Sequence, residues 1–283
     1  MIAAQRRALI LEHLRRHGAD SIMALAETIG VSASTIRRDL DFLTHGGYIV
    51  RSHGGAILSE RLHTTFEPQR EIGAQIARTA KTAIGARAAD LLELGQSVIF
   101  DSSSTVAEVA KEVVNRKLRL TVCTNDVGTA AILSESPSLQ LVVLGGTNRF
   151  GSLTLIGDPG LTFLERIHAD VAFIGIHSLF GERLSETSID LAAMKRRMIA
   201  SATRSVVLAD SSKFSHPAFC DVAPLTDIDT IITDNGIGEA ERRLVTEAGV
   251  ELIEVDPDPG TDQRAGRAVA SAAVAHDLAV ENR

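Results

Sequence analysis

From residue 97 to residue 255 the chain repeats one pattern: a short apolar run, a polar break, then an amphipathic stretch. The runs are SVIF, LTVC, LQLVVL, DVAFIGI, SVVL, TIIT and VELIEV, and the intervening stretches include AAILSE, AAMKRRMIASA and RRLVTEAG. Near-continuous apolar strands, without strict polar alternation, belong to sheets covered by helices on both faces. The pattern predicts an α/β fold with a mostly parallel sheet, in which LQLVVL is expected to be a buried strand. Glu71 to Leu94 reads as one long helix before it, with Ile76, Ala80, Ile84, Ala88 and Leu91 on one stripe.

Ligands of such sheets gather at the carboxyl ends of the strands, where loops and helix N-termini supply amides. Those ends read Asp101-Ser102-Ser103-Ser104-Thr105, Thr124-Asn125-Asp126, Gly145-Gly146, Ala209-Asp210-Ser211-Ser212-Lys213 and Asp234-Asn235. The hydroxyl run at 102–105 opens a helix and suits a phosphate. Lys213 can supply the countercharge, while Asp101 and Asn125 can hydrogen-bond sugar hydroxyls. Taken singly, each loop is also ordinary capping chemistry; together they point to a bound anion.

The first sixty residues follow a different rule. Ala3 to His17 carries Ile10, Leu11 and Leu14 on one face and is closed by Gly18. Ser21 caps IMALAETI, with Ile22, Leu25, Ala26 and Ile29 as its stripe, and Gly30 ends it. Ser32 then caps a third helix whose Ile36, Leu40 and Leu43 face one core. That leaves Ser34, Thr35, Arg37, Arg38 and Asp41 pointing outward. A short helix, a glycine turn and a second helix with a polar face form a helix-turn-helix. Hydroxyls of Ser32, Ser34 and Thr35 can meet phosphates or base edges, and Arg37 and Arg38 are shaped to grip guanine or phosphate. Tyr48 to Ser52 and Ala56 to Leu58 form a short hairpin, a wing that presents Arg51 and His53.

Charge agrees with this division. The whole chain carries 29 Lys+Arg against 36 Asp+Glu, a net of −7. Residues 1–59 hold seven arginines and five acidic residues, a net of +2, which leaves −9 for the remainder. A basic head on an acidic body fits a chain of which one end meets a polyanion.

Other classes are disfavoured. No run of eighteen apolar residues suggests a membrane span, and Arg15 and Arg16 interrupt any signal-peptide pattern. Cys123 and Cys220 are two unclustered thiols, and the nine histidines form no HExxH pair, so neither a metal site nor a cofactor is expected. A cytoplasmic protein with reduced cysteines is the expectation.

The words VSASTIRRDL (31–40) and RSHGGA (51–56), at this spacing, resemble the DeoR family of bacterial transcriptional regulators. The likeness continues from Phe66 to Asp234, where LADSSKF, TN at 124–125, GG at 145–146 and MKRRMI look like the family's effector domain, which is related to ribose-5-phosphate isomerase. The resemblance implies a phosphorylated sugar or polyol as effector, held by Asp101, Ser103, Ser104, Thr105, Asn125, Gly145, Lys195 and Lys213. It also implies double-stranded operator DNA as partner and a homodimer or homotetramer. One departure stands out: Ser103 replaces a glycine common in the family, a position where a positive φ or close phosphate approach would favour glycine. IHSLFGERLSETS is also less typical, and His177, Arg183 and Glu186 within it are candidates for tuning the pocket.

The expected division is 1–58 for the winged helix-turn-helix, 59–69 for a linker, 70–256 for the α/β effector domain and 257–283 for a tail with a weak helix. The expected function is a repressor of carbohydrate catabolic genes relieved by its effector, with no catalytic residue. The alternative is a sugar-phosphate isomerase carrying a DNA-binding head, for which Asp101, Glu186 and Asp190 are the available carboxylates. A head that binds protein instead lacks an exposed apolar anchor on its third helix.

Overall fold

The computed structural model describes residues 1–59, 64–214 and 216–257, so the expected tail helix lies outside the described residues. The head consists of α1 (Ala3–His17), β1 (Ala19–Ser21), α2 (Ile22–Ile29), α3 (Ala33–His45), β2 (Ile49–Ser52) and β3 (Gly55–Leu58). Its core is the stripe read from the sequence: Ile10, Leu14, Leu25, Ile36, Leu40 and Leu43 are all fully buried. Both caps form, with Ser21 Oγ accepting the Ala24 N–H at 3.1 Å and Ser32 Oγ accepting the Thr35 N–H at 3.3 Å.

The wing is larger than the hairpin expected, because β1 adds to it antiparallel in the order β1-β3-β2. Three residues, Ala-Asp-Ser, carry no apolar alternation that would announce a strand. The close approach of β1 is what the second glycine of HGGA permits: a Cβ on Gly55 would lie 2.0 Å from the Asp20 carbonyl oxygen.

The single long helix expected over Glu71 to Leu94 is instead two pieces, α4 (Arg70–Gly73) and α5 (Arg78–Ala89). The break is at Ala77, which takes a left-handed conformation (φ 52°) and gives its N–H to Glu12 Oε1 of α1 at 2.7 Å. A contact with the head thus replaces a helical turn. Ile72 and Ile76 of this segment are buried in the head cluster, and Phe66 packs edge-on against Tyr48 with ring centroids 5.1 Å apart.

The body strands are β4 (Ser97–Phe100), β5 (Thr121–Thr124), β6 (Gln140–Val143), β7 (Thr147–Asn148), β8 (Leu155–Ile156), β9 (Ala169–Gly175), β10 (Ser178–Phe180), β11 (Arg183–Glu186), β12 (Ala202–Leu208), β13 (Cys220–Pro224), β14 (Thr230–Asp234) and β15 (Glu251–Val255). Between them run α6 (Ser104–Asn115), α7 (Val127–Leu133), α8 (Gly160–Leu164), α9 (Ile189–Ala200) and α10 (Glu239–Glu247). Seven strands form one parallel sheet in the order β15-β14-β12-β9-β4-β5-β6. Both faces are covered: Val98, Phe100, Val171 and Phe173 pack under α5 and α6, whereas Ile99, Ala172 and Ile174 pack with Met194 and Met198 of α9. β6 is not the buried strand expected. It closes one edge, and Val143 is 46% exposed.

From β4 the chain winds outward through β5 and β6, and from β9 it winds the other way through β12, β14 and β15. The reversal lies between β4 and β9, and a doubly wound sheet opens its ligand crevice beyond the strand ends at such a point.

Candidate functional site

The outer face of the head is built by packing that fixes α3 from behind. Asp39 is buried and takes Arg6, whose Nη2 lies 3.2 Å away, and Arg7, whose Nε lies 3.0 Å away. Arg7 also sits 3.5 Å above the Phe42 ring. An acidic residue between Arg38 and Leu40 gives no sign of burial in the sequence; Asp39 becomes a buried anchor only with α1 beside it.

On the opposite face Ser34, Arg37 and Arg38 are exposed, and neither arginine has a hydrogen-bond or ion-pair partner among the described residues. Ser32 Oγ lies 2.9 Å from both Ser34 Oγ and Thr35 Oγ1, so the three hydroxyls cluster at the helix start. Arg51 stands on the exposed edge of β2, 3.8 Å from Asp41, and His53 is exposed at the turn of the wing. Two free cations on a major-groove-sized helix beside a wing are suited to a phosphate backbone and base edges.

The second site is a cavity of about 540 Å³ beyond the carboxyl ends of β4 and β9. Its floor is organised by Gly175. Asp101, following β4, accepts the Ser103 N–H at 2.8 Å and the Gly175 N–H at 2.9 Å. Lys195, from α9, donates to the Gly175 carbonyl at 2.7 Å, sits 3.2 Å from Asp101 Oδ2 and binds Glu186 of β11. All three ionic groups are buried. Burial raises the Asp101 carboxyl above its ordinary range. Burial acts the same way on Glu186, but the charge and hydrogen bond of Lys195 outweigh it and lower that carboxyl. On Lys195 burial opposes the charged form, yet the two carboxylates raise its pKa above the ordinary lysine value.

This arrangement sorts the expected effector residues. Ser103, Ser104, Thr105, Lys195 and Lys213 line the cavity; Asp101, Asn125 and Gly145 do not. Asp101 lies beneath, with both oxygens engaged by backbone N–H groups. Asn125 turns its amide to the Leu155 carbonyl at 2.9 Å. Gly145 is packed against Pro159, where a Cβ would come within 2.7 Å of the proline ring. Lys195 lines the wall with its three N–H donors already spent. His177 and Glu186 also face the cavity, whereas Arg183 lies outside it, 3.5 Å from Asp221.

Ser103 does not need the conformational freedom of glycine. It is extended (φ −78°, ψ 151°) and caps α6, with Oγ accepting the Val106 N–H at 3.2 Å. The cap leaves the N–H groups of Ser104 and Thr105 without a partner among the described residues, at the positive end of a twelve-residue helix. Lys213 Nζ likewise has no partner among the described residues. Lys81 and Arg149 are among the cavity residues that carry no site signal in the sequence. Lys81 of α5 is buried and donates to the Gly73 carbonyl at 2.6 Å; Arg149 pairs with Glu67 at 2.7 Å. They come from the expected helix interior and from a loop with no strand-end signal.

Residues 6–61 match the family described as the DeoR-like helix-turn-helix domain, and residues 76–235 match the DeoR C terminal sensor domain. The chain belongs to the DeoR family. It is a DNA-binding transcriptional regulator with a sensor domain. Similar curated proteins include the HTH-type transcriptional regulator GlpR of Haloferax volcanii, 34% identical over 90% of this chain and 98% of that protein. Another is the HTH-type transcriptional repressor GlcR of Bacillus subtilis, 31% identical over 93% of this chain and all of that one. Solved structures with partial likeness include ribose 5-phosphate isomerase A from Methanocaldococcus jannaschii, 18% identical with a TM-score of 0.36, covering 48% of this chain and 53% of that chain. The translation initiation factor eIF-2B of Pyrococcus horikoshii is 15% identical, with a TM-score of 0.43 over 81% of this chain and 87% of that chain.

Proposed function

We propose that this regulator is a repressor of carbohydrate genes, relieved when a phosphorylated sugar or polyol enters the cavity at the β4–β9 switch point. One observation carries the reading: the free Ser104 and Thr105 amides and the unpaired Lys213 ammonium line a single cavity. A helix N-terminus and a lone cation together favour a doubly charged oxyanion over a neutral sugar. The name of the Bacillus subtilis relative, a repressor, supports the sign of the response.

On the DNA side, Arg37, Arg38, Ser32, Ser34 and Thr35 meet the major groove, with Arg51 and His53 on the flanking backbone. Heads act in pairs on half-sites one helical turn apart, so the working form is a homodimer or homotetramer in the cytoplasm. The division of labour is residues 1–58 for DNA, 59–69 as connector and 70–256 for the effector.

The chain binds its ligand without converting it. Proton abstraction from a sugar needs a carboxylate free to act as base. Asp101 and Glu186 are both held by Lys195, and Asp190 is exposed in the first turn of α9. Incubation with ribose 5-phosphate would expose any turnover. The deciding experiment measures affinity for promoter DNA at fixed salt, with phosphorylated sugars or with their unphosphorylated parents. Release by a phosphorylated compound alone supports the reading; release by parents, or by none, contradicts it.

A further inference from the structure

The elbow between α4 and α5 lines the cavity with Gly73, Ala74 and Lys81 and packs Ile72 and Ile76 into the head, and Lys81 ties its two arms together. Its ammonium reaches back from α5 to the carbonyl of Gly73, the last residue of α4, at 2.6 Å. α4 is seated in the head: Ile72 and Ile76 are buried in the head cluster, Gln69 N–H donates to Tyr48 Oη at 2.7 Å, and Ala77 N–H donates to Glu12 Oε1 at 2.7 Å. The other arm is fixed on the body. α5 lies so close to α6 that a Cβ on Gly85 would fall 2.6 Å from Glu108 Cβ.

Lys81 is also a wall of the cavity shared with Ser104, Thr105 and Lys213. It is only 5% exposed, and among the described residues no carboxylate lies within ion-pair distance. Asp210, Glu108 and Glu12 act on it from further away, with Lys213 opposing them, and burial brings its pKa down to about 8. A buried cation held by one neutral carbonyl gains most when an anion arrives.

We propose that Lys81 is the residue through which an anion in the cavity is read by the head: the ammonium leaves the Gly73 carbonyl for the ligand, and the elbow that seats α4 loosens. This rests on the reading of the cavity as a site for a phosphorylated ligand. The stem of Lys81 stays with α5, so the change falls on Gly73 and the four residues after it. The Glu12 contact joins that segment to α1, which in turn holds α3 through Asp39.

The test uses the full chain with inorganic phosphate, ribose 5-phosphate, glucose 6-phosphate and glycerol 3-phosphate as probes. Melting-temperature titrations give affinity, and amide hydrogen exchange follows the peptide spanning 70–81. With the tightest probe, exchange in that peptide should accelerate several-fold in the wild type. Lys81→Gln, which keeps a donor for the Gly73 carbonyl, should bind that probe about tenfold more weakly and lose the acceleration. Lys81→Arg should recover part of both. Equal affinity in Lys81→Gln, or a wild type that binds a probe with no change at 70–81, overturns the proposal and leaves the cavity reading standing. Should Lys81→Gln not fold, the wild-type exchange result decides alone. Failure of every probe to bind the wild type removes the cavity reading and this inference with it.

Discussion

The Ser103 hydroxyl fills the space that a side chain at Gly175 would need: a Cβ on Gly175 would lie 2.2 Å from Ser103 Oγ. The two residues also share Asp101, whose carboxylate takes an N–H from each. The ends of β4 and β9 are therefore set by one serine and one glycine in contact, directly beneath the cavity.

Gly175→Ala should destabilise the sensor domain by about 1–3 kcal/mol, because the added methyl overpacks a site that cannot shift without breaking the Asp101 bonds. Adding Ser103→Gly should return much of the loss, at the expense of the α6 cap. Denaturant melts of the two single variants and the double variant measure the coupling.

Arg37→Ala and Arg38→Ala should each weaken promoter binding while leaving the melting temperature unchanged, since both side chains are exposed and unpaired. A lost phosphate contact lowers the slope of log affinity against log salt by about one. Titrations at several salt concentrations separate this from loss of a base contact, which leaves the slope nearly intact.

Lys195→Met should be far more damaging to stability than either arginine change. It strands Asp101 and Glu186 as buried carboxylates without their shared cation, and breaking such a pair costs about 3–5 kcal/mol. Calorimetry of the variant should show a large drop in the melting temperature of the domain, partly recovered at low pH as the carboxylates take up protons.

His177 should contribute an acid-sensitive component of stability. Burial, aided by Lys213, lowers its pKa to about 4 from 6.5. Between those values the unfolded chain binds a proton that the folded chain refuses, so stability falls as pH drops through that window. His177→Gln should flatten the dependence there, checked by melts between pH 4 and pH 7.

Much of this architecture is legible in the sequence because its cues are local. Ser21, Ser32 and Ser103 cap the helices that follow them, and the apolar runs mark every strand of the large sheet. What escapes depends on contacts distant along the chain. β1 forms because Gly55 lets β3 approach it, and the helix expected over Glu71 to Leu94 breaks because Glu12 captures the Ala77 N–H. Asp39 is buried only once Arg6 and Arg7 are beside it. The same limit governs the site. The hydroxyls at 103–105 and Lys213 are recognisable at strand ends, but Asp101 and Gly145 spend their polar groups or space on the scaffold, and Asn125 gives its amide N–H to Leu155 while its buried Oδ1 has no partner among the described residues. Lys81 enters the cavity from a helix with no motif of its own.

The most direct test of the central claim is a thermal-shift screen of the purified chain against phosphorylated sugars and polyols with their unphosphorylated parents. A ligand that binds only the folded state raises the melting temperature as its concentration exceeds Kd. A concentration-dependent rise is expected with a phosphorylated compound, absent with its parent and much reduced in Lys213→Ala. A rise with the parent compounds alone, or an equal rise in Lys213→Ala, would contradict that claim.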